Sequence, residues 1–390
     1  MRDDCTNKID SPSLLRLKQR GDSGSLQPTF GFEPDGAYLA GLYPDECDGG
    51  AHFWRKPEDS PFGFTRWLPS FLGRIDGLPG KILRKLMTEG IRTNNRWRYE
   101  FMPQAPYPVL RQVAPVPKLF PPGSRGKEIK DLFFLCKQQE IPFFFHGSPV
   151  HRVTVDQGVK RITSELFPPV RFAFWHIGDL DSAGHCFGPK SPELKQAIKR
   201  IDEKISEVAT LLKKRFGDVH LVIIGDHGMA EVRTHLNVEK HLQNQGINGK
   251  DAPLYFIDST MVRFWFKNRY QRELVTAALL SLKGGRILTQ EDLDRYHLNY
   301  AHNRFGDLIF LADPGVLFLP NYFQGSSPVK GMHGYAPEHP DQQSAFIINS
   351  PATKAPQPIT DPVDMRRVFP TILKLLGIEK PIACRVESII

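Results

Sequence analysis

Asp181 and His185 in DSAGH, Asp226 and His227 in GDHGM, and His333 in GMHGY fall in three short blocks in one fixed order. Carboxylate oxygen and imidazole nitrogen are the usual ligands of zinc-like ions. A carboxylate with a histidine four residues on, then an adjacent Asp-His pair, then a distant histidine suits two such ions. The first two blocks each follow an apolar run that reads as a buried strand, Phe172–Trp175 and Leu221–Ile224. Ligands at strand ends of a parallel sheet converge on one crevice, where carboxylates and imidazoles left unpaired would be costly. His176, Asp179 and His339 sit close to the blocks, and a structural role for them is favoured over orienting the ligands. His220 and His146 stand alone and read as structural or surface residues.

The elements that must hold these side chains are of the α/β kind. Ser191 as N-cap and Pro192 in the first turn open a helix, and Leu194, Ile198, Ile201, Ile205, Val208 and Leu212 repeat at helical spacing until Gly217 stops it. This helix joins the strand before Asp181 to the strand before Asp226, which implies a right-handed crossover and parallel pairing of the two strands. A last helix is expected over residues 361–376, with Met365, Val368, Phe369, Ile372 and Leu376 on one face and Gly377 as its end. Between Met229 and Met332 the pattern changes to short strands, such as residues 261–266 and 308–311. Arg263, Trp265 and Arg304 there fit substrate contact, edge-strand packing and surface solvation equally well. Residues 44–122 are rich in proline and aromatics with little helical periodicity, and read as a long, packed, irregular insertion.

Taken together the blocks resemble the alkaline phosphatase superfamily, and within it the type I phosphodiesterase/nucleotide pyrophosphatase family. The resemblance rests on DSAGHCFGP at 181–189, the helix opening Ser191-Pro192-Glu193 with Asp202 inside it, IIGDHGM at 223–229, and His333-Gly334-Tyr335. Several spaced blocks agreeing in order make it specific. It implies an alkaline-phosphatase-like central, mostly parallel sheet flanked by helices. The whole chain, residues 1–390, would be one such domain with an inserted lobe at 235–330. Asp181, His185 and His333 would hold one divalent ion, and Asp226 and His227 the second, zinc by preference with manganese as the alternative. The two ions would clamp a phosphoryl group and stabilise the attacking and leaving oxygens of an in-line displacement.

Two family features depart. An apolar strand ending in Asp-Gly should open the domain, and MRDDCTNKID is too polar for one. The helix-like stretch 11–17 suggests that the chain begins one element late, and Asp10 is a poor stand-in for the missing aspartate. The Thr or Ser nucleophile should precede Gly41-Leu42-Tyr43-Pro44, but the family spacing lands on Gly31. Thr29, two residues earlier, is the candidate nucleophile for a covalent phospho-enzyme.

The function expected is therefore a metal-dependent hydrolase of phosphate esters, a phosphodiesterase or nucleotide pyrophosphatase acting on a small phosphorylated substrate. The alternative is an inactive relative that binds metal and a phosphorylated or glycan partner. A sulfatase is disfavoured by the lack of a Cys-x-Pro-x-Arg signal. A net charge of +8 favours anionic partners in general, but lysine and arginine are scattered, and no nucleic-acid binding is expected. The densest cationic group, Lys213-Lys214-Arg215, reads as a solvated helix terminus. No apolar run is long enough to span a membrane and the start lacks an apolar signal core, so a cytoplasmic location is expected. Five cysteines without a CxxC pair fit a reducing compartment.

Overall fold

The computed structural model describes residues 9–69, 77–92, 103–116, 119, 128–147, 153–249, 252–351, 353 and 355–390. The opening MRDDCTNK, read above as too polar for a buried strand, lies outside them. The chain divides into two compact units. One comprises Met1–Gly50, Lys118–Ala230 and Pro337–Ile390, the other Ala51–Pro117 and Glu231–Ala336.

The first unit holds a four-stranded sheet in the order Pro358–Asp364, Asp22–Gln27, Ser344–Asn349, Leu221–Ile224. Asp22–Gln27 is parallel to Pro358–Asp364 and antiparallel to Ser344–Asn349, which is antiparallel again to Leu221–Ile224. Three of the four strands thus run the same way with Ser344–Asn349 reversed, so one pairing is parallel and two are antiparallel, and the sheet is mixed. Leu26 faces Ser344 and Ile224 faces Phe346, so the carboxyl ends of Asp22–Gln27 and Leu221–Ile224 share one edge.

The strand Phe172–Trp175 pairs in parallel with Phe143–His146 as a separate two-stranded sheet. Among the described residues it does not pair with Leu221–Ile224, contrary to the crossover expectation. The reason lies in what a crossover fixes: it sets handedness, whereas consecutive strands are neighbours in only about two-thirds of cases. Each of these strands ends its sheet, and each is half-exposed instead of buried. Both still feed one core, in which Phe172, Phe174, Val222 and Ile224 pack on a cluster containing Phe133, Phe346, Ile348 and Phe369.

The crossover helix is Pro192–Phe216, where Ser191 Oγ accepts from Leu194 N at 3.1 Å and Gly217 forms the C-cap. Ile198, Ile201 and Val208 are buried. So is Asp202, whose carboxylate accepts from Ser13 N at 3.0 Å and Leu14 N at 2.6 Å. Asp202 thereby caps the helix Pro12–Gln19, whose own N-cap residue Ser11 makes no side-chain cap bond. At the other end Arg215 donates to the carbonyls of Ile162, Thr163 and Leu166, closing the C-terminus of the helix Val155–Glu165. Of the cationic group Arg215 therefore caps a neighbouring helix, while Lys213 and Lys214 are exposed at the helix terminus. The last helix runs Val368–Leu376 and is shorter than expected, because Asp361 and Pro362 belong to the strand Pro358–Asp364. Proline biases the residue before it toward extended backbone. Gly377 ends the helix in a left-handed conformation, φ 72°.

In the second unit an antiparallel sheet runs Gly285–Ile287, Leu308–Ala312, Met261–Trp265, Leu254–Ile257. Met261–Trp265 and Leu308–Ala312 are buried along their whole length, so Met261–Trp265 is an interior strand. That removes Arg263 and Trp265 from the candidate substrate contacts. Arg263 is fully buried, with Nε 2.9 Å from Asp258 Oδ2 and Nη1 donating to Phe53 O at 2.6 Å. Burial pushes the Asp258 carboxyl up to about 6 against the pull of Arg263. Trp265 donates its indole N–H to Asn303 O at 2.7 Å, and Arg304 stacks on Trp54 at 5.0 Å. The region read as irregular contains a ribbon, Phe53–Arg55 with Val113–Pro115, and a helix, Gly77–Arg92. Pro79 and the glycines at 77 and 80 hide that helix in the sequence.

The Asp202 cap is the tie most open to test. Asp202→Ala leaves two helix N–H groups buried without acceptors and should lower unfolding free energy by about 2 kcal/mol in urea titration. A change below about 0.5 kcal/mol would mean that the cap does not hold the helix.

Candidate metal centre

In the first unit, the strand Phe172–Trp175 is followed after three residues by the helix Asp179–Phe187. Asp181 stands in its first turn and His185 one turn on, so the i,i+4 spacing puts both on one face. His185 Nε2 lies 3.2 Å from Asp181 Oδ1. Asp179 points elsewhere: its Oδ2 accepts from Val155 N at 2.8 Å and caps the helix Val155–Glu165. That is the structural role favoured for it.

The second pair sits in the turn after Leu221–Ile224. Gly225 N donates to Ala345 O at 2.8 Å, Ser344 Oγ donates to Gly225 O at 2.5 Å, and Gly228 N donates to Gln342 O at 2.8 Å. A Cβ on Gly228 would fall 2.2 Å from Asp341 O, so only glycine lets the turn close. His227 Nδ1 lies 2.9 Å from Gly228 O. With Nδ1 donating to that carbonyl, Nε2 is the nitrogen left to face the site. That nitrogen faces both carboxylates, 3.6 Å from Asp226 Oδ2 and 3.9 Å from Asp181 Oδ1.

Four of the five sequence-selected donors thus converge in the first unit, with the ligand atoms of Asp181 and His227 within 4.8 Å of one another. Burial works to raise both carboxyls, yet both lie below the usual carboxylate range. For Asp181 the hydrogen bond and charge of His185 outweigh it, with His227 adding; for Asp226 the charges of His227 and His176 do. His176 is near enough to Asp226 for its charge to act on that carboxyl. His339 has the structural role, its Nδ1 accepting from Asp341 N at 3.1 Å. Oxygen and imidazole donors at these separations are the set that divalent zinc or manganese takes, and the cluster of two carboxylates fits a cation's charge.

The fifth donor, His333, lies in the second unit after the strand Gly331–Met332 and is buried. Thr260 Oγ1 donates to Gly334 O at 2.7 Å, fixing the backbone beside it. Thr29 lies in the first unit, half-buried, two residues beyond Asp22–Gln27. It stands at the sheet edge that the carboxyl end of Leu221–Ile224 shares. Gly31, where the family spacing puts a nucleophile, has φ +115°, and a Cβ there would meet Gly50 O at 2.2 Å. No side chain fits that position without moving backbone.

The helix Asp35–Ala40 follows, and its buried Tyr38 was not selected from sequence. Burial pushes its phenol well up, and the charges of Asp35, Asp226 and Glu33 add to this. A tyrosine in a short helix that is buried along almost its whole length carries no signal of that neighbourhood.

A model of the type I phosphodiesterase/nucleotide pyrophosphatase family matches residues 39–336. The chain belongs to this family. Among curated proteins it is similar to human ectonucleotide pyrophosphatase/phosphodiesterase family member 5, 27% identical over 187 residues, which is 47% of this chain and 38% of that protein. It is also similar to rat family member 7, 24% identical over 277 residues, 69% of this chain and 61% of that protein. The chain therefore spans less than two thirds of these relatives' length, 38% of one and 61% of the other. A solved structure of murine family member 5, an inactive variant in complex with AMP, superposes with a TM-score of 0.67 at 16% identity, over 98% of this chain and 93% of that one. The family's alkaline-phosphatase-like fold is thus shared along nearly the whole chain.

If the converging donors hold metal, Asp226→Asn should reduce bound zinc measured by mass spectrometry by at least one equivalent, while far-UV circular dichroism stays unchanged. Undiminished metal would remove Asp226 from the ligand set.

Proposed function

We propose that this chain is a metal-dependent hydrolase of phosphate esters, a phosphodiesterase or nucleotide pyrophosphatase with two divalent ions, zinc or manganese. The observation that carries the reading is the approach of Asp181, His185, Asp226 and His227, two carboxylates and two imidazoles from separate stretches of chain. Asp181 and His185 would hold one ion with His333 as a further donor, and Asp226 and His227 would hold the other. When bound, the ions supply the positive charge that clamps a phosphoryl group during in-line displacement.

The protein groups then have distinct tasks. His227 keeps its proton on Nδ1 toward Gly228 O and offers Nε2 to the site. Thr29, at the same sheet edge as Asp226, is the proposed nucleophile, its oxygen bonding phosphorus as the leaving alkoxide departs. Tyr38, with its phenol held protonated, is a hydrogen-bond donor on the helix that follows. The substrate is a small phosphorylated compound, taken up by a chain of net charge +8. The lobe at 235–330 within a single 1–390 domain, and a cytoplasmic place of action, belong to the same proposal. Among the described residues no helix is long and apolar enough to cross a membrane.

Gly31 favours a second reading, a relative that binds metal and a phosphorylated or glycan partner without turnover. Hydrolysis of bis-p-nitrophenyl phosphate, with zinc or manganese supplied, separates the two. The proposal expects turnover that Thr29→Ala lowers by about a hundredfold or more while metal content holds. Turnover unchanged in Thr29→Ala would place the nucleophile elsewhere, and metal binding with no turnover in either protein would leave the binder.

A further inference from the structure

In the second unit the helix Gly77–Arg92 exposes a continuous apolar stripe. Leu78, Ile82 and Leu86 recur every fourth residue and are 71%, 51% and 66% exposed. Scattered exposed leucines are ordinary, but three aligned along one helix face form a surface that calls for a partner. The helix is seated by its opposite side, where Gly80 and Thr88 are buried and Leu83, Arg84 and Met87 half-buried. Arg84 is near enough to Tyr107 for its charge to act on the phenol.

The charge beside the stripe indicates what covers it. Lys81 and Lys85 are exposed and run along one border, again four residues apart. Glu89, seven residues after Ile82 and so in line with the stripe at its C-terminal end, is the only acid over residues 78–89, against the exposed cations Lys81 and Lys85. Trp67, ten residues before the helix, is 78% exposed with the Arg66 guanidinium 4.9 Å from its ring. Tryptophan is enriched at membrane interfaces, and aliphatic stripes bordered by lysine lie in the headgroup plane of anionic bilayers. The whole chain adds a net charge of +8.

We propose that the helix Gly77–Arg92 is an interfacial anchor that lays Leu78, Ile82 and Leu86 into an anionic lipid surface, with Lys81 and Lys85 at the headgroups. The helix lies in the surface without crossing it, and the contact is independent of the phosphodiesterase reading.

Cosedimentation of the full chain with vesicles tests this. Vesicles of phosphatidylcholine containing phosphatidylserine should bind it roughly tenfold or more tightly than phosphatidylcholine alone, given two lysines at the surface. The triple variant Leu78→Gln/Ile82→Gln/Leu86→Gln and the charge variant Lys81→Glu/Lys85→Glu should each lose that binding with metal content and circular dichroism unchanged. Light scattering on the same proteins addresses the rival occupant. Absence of binding, binding indifferent to phosphatidylserine, binding retained by the triple variant, or a dimer that the triple variant makes monomeric would each overturn the proposal, the last in favour of a second copy of the chain.

Discussion

Everything at the candidate centre follows from the cost of keeping two carboxylates, Asp181 and Asp226, ionised side by side. Burial raises the proton affinity of each, and the charge of Asp181 raises that of Asp226 further. Compensation comes from imidazole on both sides: His185 on the helix face below Asp181, His227 between the two, and His176 acting on Asp226. Such a cluster without a cation would rest on histidine charge alone. A divalent ion supplies the same compensation with fixed geometry, and this is the physical case for metal.

The scaffold that holds the carboxylates is built from local rules. Asp181 is placed by a helix that starts three residues after its strand, Asp226 by a turn that only glycine at 228 allows. The crossover between them carries its own structural aspartate, Asp202, which ties the helix Pro12–Gln19 to the same unit. These four aspartates therefore divide into two pairs. Asp202 and Asp179 satisfy helix N–H groups, whereas Asp181 and Asp226 face imidazoles.

Features set by residue spacing were legible in the sequence. Ser191, Pro192 and Gly217 delimit the crossover helix because capping chemistry is local, and both apolar runs are strands. Strand partners were not legible, since which edge meets which is settled by the whole core; Phe172–Trp175 joins Phe143–His146 instead of Leu221–Ile224. The four converging donors could be found because each block pairs its ligands within four residues. Tyr38 could not, because its approach to Asp226 depends on how a later helix packs. Arg263 looked like a surface cation and is a fully buried ion-pair partner of Asp258, a distinction that rests on Met261–Trp265 having strands on both sides. The helix Gly77–Arg92 escaped notice because its apolar stripe faces outward and its first turns carry proline and glycine.

Gly31 marks where the chain departs most from its family. The backbone there leaves no room for a side chain, so the proposed nucleophile is Thr29 two residues earlier and not this position. The proposed metal site does not depend on that answer. Its most direct test is anomalous diffraction at the zinc and manganese edges from crystals of the full chain grown with each metal. The account predicts one peak bonded by Asp181 and His185 and a second by Asp226 and His227. Density without peaks there, with the His185–Asp181 contact intact, would contradict it.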